Sequence, residues 1–194
     1  MTQAVEIPGY VAGTWNIDPV HSEVGFTVRH LMISKVRGRF TAFEGQIVTG
    51  VDPLDSSVTA VIDLTSVDTG NAQRDAHLRS TDFLEVDKHP TMTYRADTVR
   101  WDGDAFVLDG ELTLKGVTRR VPLNVEVNGF GPDPFAPDPL AGARVGFTAT
   151  GEIDRTDFGV TFNSPIPGGE GLALGERVQI VLEVQAALQN GATS

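Results

Sequence analysis

Apolar and polar residues alternate along most of this chain. In the first clear run, residues 24–30, Val24, Phe26 and Val28 share one parity and Thr27 the other. A period of two is typical of a β-strand with one buried face. Seven further runs alternate in the same way, at residues 36–48, 57–64, 92–97, 106–115, 117–127, 145–153 and 178–186. Eight such strands predict an antiparallel sheet with a single core face.

Short turns join several of these runs. Asp102 and Gly103 precede one run, and Lys115 and Gly116 separate the next pair. Such dipeptides favour tight hairpins. Sequential strands joined in this way predict an all-β, eight-stranded, up-and-down antiparallel barrel, because closure leaves no exposed sheet edge. Two jelly-roll-like sheets are the competing architecture.

Three segments interrupt the alternation. Residues 71–86 suit one or two short helices between the third and fourth strands, across the mouth or wall of the barrel. Residues 129–142 and 163–175 contain several prolines and glycines and predict long loops. No repeat or linker divides the chain. We therefore expect a single domain over residues 1–194, with residues 1–13 as an N-terminal extension.

The composition argues against several functions. The 194 residues carry a formal net charge of −11, which disfavours nucleic-acid binding and stable membrane-surface binding. The absence of cysteine removes disulfides, thiol catalysis and thiolate metal sites. The sequence shows neither a signal-peptide pattern nor an apolar run of membrane-spanning length. We therefore expect a cytoplasmic protein without stable membrane insertion.

Histidines and acids supply the candidates for a metal or acid–base site, namely His21, His30, His77, His89, Asp18, Asp75 and Asp82. Their spacings match no metal-binding motif, so we predict no metal site, no catalytic residue and mainly structural histidines. Two arginines, Arg74 beside Asp75 and Arg155 near Asp157, have two interpretations. They either clamp a ligand headgroup or pair internally, as buried charges usually do.

Four motifs follow one another along the chain, at residues 15–45, 66–90, 110–121 and 149–160. Together they resemble the YceI-like family over nearly the whole chain. The resemblance implies a lipocalin-like barrel of eight strands around an extended cavity. Family members hold long amphiphiles there, such as polyisoprenoids, isoprenoid quinones or fatty-acid amides. Many are periplasmic homodimers; we expect the homodimer here, whereas the missing signal peptide departs from that pattern.

We therefore predict a noncatalytic protein that binds, transports or stores a long amphiphilic lipid inside the barrel. No cofactor is expected beyond a bound polyisoprenoid or quinone-like lipid, with its headgroup near Arg74 or His77. The predicted ligand contacts are Phe26, Val28, Phe40, Phe43, Ile47, Leu64, His77, Leu78, Phe83, Leu84, Met92, Tyr94, Leu112, Leu114, Phe147 and Phe158. The alternative is an enzyme that acts on a hydrophobic substrate, with His77 or His30 as general base. A third hypothesis is a solidly packed barrel used for protein interaction.

Overall fold

A computed structural model of the protein describes residues 6–138, 142–169 and 171–189. Over these residues the chain forms twelve β-strands and one α-helix. The strands are β1 (Gly13–Ile17), β2 (Glu23–His30), β3 (Ser34–Phe40), β4 (Phe43–Thr49), β5 (Ser57–Asp63), β6 (Val67–Asp68), β7 (Thr91–Ala96), β8 (Val99–Trp101), β9 (Phe106–Leu114), β10 (Val117–Gly131), β11 (Arg144–Asp154) and β12 (Leu174–Leu188). The helix, α1, spans Ala72–Arg79. No helix in the described ranges is long and apolar enough to cross a membrane.

The strands close into an antiparallel barrel. β4, β5, β7, β9, β10, β11 and β12 pair in that order, and β1 closes the ring by pairing with both β4 and β12. Three of these strands are interrupted by short breaks: β2 continues β1, β3 precedes β4, and β6 follows β5. The three outer segments pair in the order β12, β2, β3 and β6. β7 and β8 likewise both pair with β9. With each interrupted strand counted once, the described chain thus forms eight barrel strands, four in two segments and four continuous, each beside its neighbours in sequence. The predicted eight-stranded up-and-down barrel is confirmed, and the jelly-roll alternative is excluded.

The break between β3 and β4 corrects one detail of the sequence analysis, which treated this stretch as a single strand. The Ser66 hydroxyl accepts hydrogen bonds from the amides of Thr41 and Ala42, at 3.1 and 3.0 Å. These two residues leave the regular ladder, so the alternation of side chains restarts at β4. Phe40 and Phe43, an odd number of residues apart, consequently both face the barrel interior.

Helix α1 lies beside a part of the barrel where the wall is incomplete. β6 has two residues and pairs only with the last two residues of β3. Within the described chain, the remainder of β3 has a strand neighbour on one side only. The Asn71 side chain caps α1 by accepting a hydrogen bond from the Arg74 amide at 2.9 Å. Arg79 ties the last turn to two backbone carbonyls, that of Thr65 in the 3-10 turn after β5 and that of Val67 in β6.

Two groups of buried residues mark the two ends of the barrel. The larger group includes Phe40, Leu64 and Leu114, and it lies toward the end where β2 finishes and β12 begins. We call this the α1 end. The smaller group contains Trp15, Ala143, Val145 and Ala186 and lies where β12 finishes. We call this the Trp15 end.

Candidate ligand-binding cavity

An elongated cavity of about 550 Å³ lies inside the barrel. Inward residues of β12 line it from Leu174 to Val184, and about ten residues of strand span roughly 33 Å. With the usual tilt of barrel strands, this corresponds to roughly 25 Å along the barrel axis. The volume lies within the range of ligand sites, about 300–1,000 Å³. The described wall is largely apolar, and the barrel is not solidly packed, which argues against the third hypothesis.

Most residues predicted to contact a ligand line this cavity. They are Phe26, Val28, Phe40, Phe43, Ile47, His77, Leu78, Phe83, Leu84, Met92, Tyr94, Leu112, Leu114 and Phe147. Leu64 and Phe158 are not among the lining residues. Both are buried in 3-10 turns, where the alternation of an extended strand does not set the direction of a side chain. Contact between the lining residues and a ligand stays a prediction.

Sequence reasoning missed several parts of the wall. Some missed residues follow the alternation of β10 and β12, so parity was a usable signal for Val121, Leu123, Val125, Val127, Val178, Ile180, Leu182 and Val184. Ile7, Tyr10 and Phe162 also line the cavity. These three lie outside the strands, where the sequence carries no periodic signal.

Two aromatic rings of the wall lie over glycines. Phe26 is directly opposite Gly38 on the neighbouring strand, and Tyr94 lies against Gly110. A Cβ atom on either glycine would overlap the ring, so a larger residue requires the ring to move. The Tyr94 hydroxyl donates to the Val121 carbonyl at 3.0 Å. Burial raises the pKa of Tyr94 to about 12, so the phenol stays neutral.

Aromatic residues cover the Trp15 end. The Phe130 ring makes edge-to-face contacts with Tyr10, Trp15 and Phe147, with ring centroids 5.2, 5.5 and 6.2 Å apart. Trp15 is completely buried, and its indole N–H donates to Thr49 Oγ1 at 2.9 Å. The Tyr10 hydroxyl donates to a backbone carbonyl just after β4 at 2.8 Å. The chain ahead of β1 therefore covers this end of the cavity.

Charged groups also tie together the loops of the Trp15 end. Arg144 donates to Asp18 at 2.8 Å and to Asp133 at 3.0 Å, which joins the break after β1 to the loop after β10. His21 contacts the same Asp18 carboxylate at 2.8 Å. Burial acts to raise the pKa of Asp18, but hydrogen bonds from His21, the Val20 amide and Arg144 together lower it to about 2. Asp18 is therefore ionised at neutral pH.

The cavity reaches solvent at the α1 end. Among the described residues that line it, only Arg74 and His77 have exposed side chains. Val36 lines the same region from the side of β3. The mouth therefore lies beside α1, near the incompletely paired edge of β3. Both headgroup candidates stand at this mouth.

Other protein groups hold the side chains at the mouth. Arg74 donates to the hydroxyl and carbonyl oxygens of Thr69, at 2.7 and 2.9 Å. The buried Asp75 accepts from the amide and hydroxyl of Thr69, at 2.9 and 2.6 Å. His77 Nε2 contacts Asp82 at 2.7 Å, with both side chains about half exposed. A general base at His77 would therefore have one ring nitrogen already engaged.

Arg155 brings a buried positive charge to the cavity wall. Its side chain is 6% exposed. Nε donates to the Gly175 carbonyl at 3.0 Å, and Nη1 donates to the carbonyls of Val160 and Phe162 at 2.7 and 2.9 Å. Within the described residues it forms no salt bridge, so its internal pairing is with carbonyls rather than with Asp157. Burial lowers the pKa of Arg155, but a guanidinium remains charged in proteins.

The two arginines that line the cavity, Arg74 and Arg155, are both at the α1 end. His30, Arg74, His77 and Arg155 contribute to its wall, and the described lining residues include no aspartate or glutamate. In the part of the chain that the structure describes, no three His, Asp or Glu side chains converge as metal ligands. The arrangement suits a ligand with an apolar tail and a hydrogen-bond-accepting head.

Comparisons with known proteins give consistent matches. The sequence profile of the YceI-like domain matches residues 15–186. Protein YceI from Shigella flexneri is 40% identical over 153 residues, which cover 77% of this chain and 78% of that protein. The crystal structure of the Campylobacter jejuni YCEI protein has a TM-score of 0.68 and 28% identity, and the match covers 89% of this chain and 96% of that one. A polyisoprenoid-binding domain from Saccharophagus degradans shares the fold at 16% identity and a TM-score of 0.61, over 92% of this chain and all of that one.

The matched range begins in β1 and ends in β12, so it spans the whole barrel. All four motifs that carry the resemblance fall within it. The resemblance noted in the sequence is confirmed, and the chain belongs to the YceI-like family.

Proposed function

We propose that this protein binds and carries or stores a long amphiphilic lipid, whose apolar tail lies inside the barrel, and that it catalyses no reaction. The cavity is the observation that supports this most, because it is long, apolar and open beside α1. After binding costs, a large ligand gains about 0.3 kcal/mol per heavy atom. A tail of about twenty-five carbon atoms would thus gain roughly 7–8 kcal/mol, which corresponds to a dissociation constant of a few micromolar.

The family relationship supports the class of ligand. The Saccharophagus degradans domain with the same fold is described as polyisoprenoid-binding, and a polyisoprenoid or isoprenoid quinone would suit the long apolar passage. A fatty-acid-derived lipid satisfies the same burial argument. We propose the homodimer and the cytoplasmic location as well; analytical ultracentrifugation and cell fractionation would test them.

The head of the ligand would lie at the α1 end in this proposal. Arg74 and His77 stand at the mouth, and Arg155 lines the wall behind them. Because the described wall contains no carboxylate, a head that accepts hydrogen bonds is favoured there. An anionic head is favoured most, since charge-assisted hydrogen bonds are the stronger ones.

Mass spectrometry of an organic extract from natively purified protein tests the proposal directly. We expect a co-purified isoprenoid or fatty amphiphile, and none in the extract of a variant whose cavity is filled by Leu182→Trp. Repeated absence of lipid from the wild-type extract, together with no binding of an added isoprenoid quinone, would overturn the proposal.

A second titration tests the charge of the head. A long-chain fatty acid and its methyl ester have the same tail, so their affinities differ only through the head. We expect the acid to bind about tenfold more tightly, as for one hydrogen bond to a charged group. Equal affinities would remove the anionic head and leave the burial of the tail intact.

A further inference from the structure

The turn between β2 and β3 presents apolar side chains to solvent beside the cavity mouth. Met32 and Ile33 are 61% and 84% exposed, and Leu31 is 36% exposed. Leu172 is 45% exposed and belongs to the same patch, because the Leu31 amide donates to the carbonyl of Ala173 at 2.7 Å. His30, immediately before the turn, lines the cavity. We call Leu31, Met32, Ile33 and Leu172 the apolar tip.

The backbone of this turn is unfavourable for its own residues. Leu31 and Met32 have φ angles of 51° and 59°, the left-handed conformation of a type I′ turn. Asn-Gly is the preferred pair in such turns, and bulky side chains are rare there. The turn between β9 and β10 uses the same conformation but has glycine at its second position, as Lys115 and Gly116. Two large apolar residues at Leu31 and Met32 are therefore not required by the barrel.

Basic side chains flank the apolar tip on the outer face of the hairpin. Arg29 lies directly opposite Lys35, a cross-strand pair of like charges that destabilises a sheet. Arg37 follows on the same outer face, and all three side chains are exposed. Within the described residues, none of the three forms a salt bridge. Residues 24–43 contain no aspartate or glutamate, although the net charge of the protein is −11.

We propose that the β2–β3 hairpin docks the protein reversibly on an anionic lipid bilayer. The apolar tip would enter the boundary between headgroups and acyl chains, and Arg29 and Lys35 would contact lipid phosphates. At about 3.3 Å per residue, Lys35 lies roughly 7 Å from Ile33, which matches the depth of about 5–10 Å to which interfacial apolar groups are buried. An anionic bilayer would remove the apolar side chains from water and would also neutralise the repulsion between Arg29 and Lys35.

Local charge rather than net charge decides such an interaction. Charges separated by more than about 8 Å are largely screened at physiological salt. Glu176 is an exposed acid close to this face, because it lies in the β12 bulge opposite Arg29. Lys35 and Arg37, which lie one strand further away, would therefore provide most of the attraction to the anionic surface. The expectation from the net charge, that membrane-surface binding is disfavoured, does not apply to this hairpin under the proposal.

If the protein carries a lipid as proposed above, docking in this orientation would bring the cavity mouth to the source of that lipid. His30 and Val36 line the cavity on either side of the apolar tip, so the mouth would face the bilayer. A lipid tail could then move between the bilayer and the cavity with little exposure to water. Binding to the bilayer itself does not depend on any cavity ligand, so the two proposals can fail separately.

Cosedimentation with lipid vesicles tests the docking. We expect the protein to bind vesicles of phosphatidylcholine that contain about one third phosphatidylglycerol, and to bind pure phosphatidylcholine about tenfold or more weakly. Binding to the anionic vesicles should weaken as salt is raised from low to physiological concentration. Absence of binding to the anionic vesicles at low salt would overturn the proposal.

Replacement of the turn residues separates function from stability. The double variant Leu31→Asn with Met32→Gly introduces the preferred type I′ pair, so its thermal midpoint should stay equal or rise. Its partitioning onto anionic vesicles should fall at least about tenfold, because the apolar tip is lost. Val51→Ser is the matched control, since Val51 is 93% exposed outside the hairpin. Unchanged partitioning of the double variant would contradict the proposal.

The basic residues and the alternative partner need their own measurements. Lys35→Gln with Arg37→Gln should weaken binding to anionic vesicles about 10- to 30-fold, at roughly 1 kcal/mol per basic residue, whereas Arg95→Gln on β7 should leave it unchanged. If the apolar tip instead covers a second copy of the chain, sedimentation analysis will show a dimer that the turn variant dissociates, with vesicle binding unaffected. That outcome overturns docking.

Lipid transfer between vesicles is measured separately, so docking without transfer counts against lipid exchange with the bilayer and leaves both docking and lipid binding intact.

Discussion

The Trp15 end and the α1 end of the barrel differ in what holds them together. At the Trp15 end, aromatic rings pack around Phe130, and Arg144 joins two loops through Asp18 and Asp133. At the α1 end, polar groups are exposed, β6 is only two residues long, and the β2–β3 turn has two bulky residues at positive φ. Both ends thus have buried apolar residues and satisfied polar groups, but only the α1 end combines them with locally unfavourable features. Such departures from local preference cluster where a protein is used.

Blocking the passage between the two ends should give the largest effect. Leu182 faces the cavity midway along β12, so Leu182→Trp should prevent a tail from reaching the Trp15 end. If about ten heavy atoms of the tail lose their contacts, affinity should fall about 100-fold or more. Isothermal titration with an isoprenoid quinone would measure it. The neighbouring Val181 faces solvent and is 44% exposed, so Val181→Trp should bind normally; equal losses in both variants would contradict a continuous passage.

Removing one hydroxyl at the Trp15 end should destabilise the fold strongly. Thr49 Oγ1 accepts hydrogen bonds from the Trp15 indole and the Gly13 amide, at 2.9 and 3.0 Å. Thr49→Val keeps the shape but leaves two donors unpaired, so we expect a loss of about 2–4 kcal/mol in the free energy of unfolding. Urea unfolding measures it, with Thr59→Val at an exposed position as the control. A loss no larger than that of the control would show that this end does not depend on the hydroxyl.

The ion network at the Trp15 end should make stability depend on pH. The pKa of Asp18 falls from 3.8 to about 2 on folding. Its ionised form therefore stabilises the folded state above about pH 4, and this contribution is lost as the pH falls toward about 2. Asp18→Asn should cost about 1–2 kcal/mol at neutral pH after allowance for solvent screening. The difference from wild type should disappear in acid, and a difference that persists there would contradict this origin; Asp87→Asn, on an exposed turn, is the control.

Removing a carboxylate at the α1 end should change stability least. His77 and Asp82 form a half-exposed pair at the mouth, and pairs of this kind contribute little to stability. We expect Asp82→Asn to change the free energy of unfolding by less than about 0.5 kcal/mol. Urea unfolding beside Asp18→Asn gives the comparison directly. A loss above about 1 kcal/mol would mean that this pair stabilises the fold more than half-exposed ion pairs usually do.

The strands could be predicted from the sequence because each has one apolar face, and alternation is a direct consequence of strand geometry. The break at Thr41 and Ala42 could not, because it depends on Ser66, which lies far along the chain and accepts hydrogen bonds from both amides. The alternation also does not show which way the side chains of Leu64 and Phe158 point. Both sit in short 3-10 turns, where parity carries no information about direction.

The site was predicted less completely than the fold. Arg74 and His77 were identified as headgroup candidates, and the structure places both at the mouth. That Arg155 would be buried against three carbonyls, without an acidic partner among the described residues, could not be read from its neighbours in sequence. Closure of the Trp15 end by Tyr10 depends on a chain segment without any periodic pattern.

The two glycine–aromatic contacts set the width of the cavity at two positions along its length. Phe26 occupies the space that a side chain at Gly38 would need, and Tyr94 does the same at Gly110. Exchanging the large and small members within such a pair would move bulk from one wall to the other while the strand ladder stays the same. A barrel of this kind can thus be fitted to thinner or thicker hydrocarbon chains by changes at very few positions, with its strand order and number unaltered.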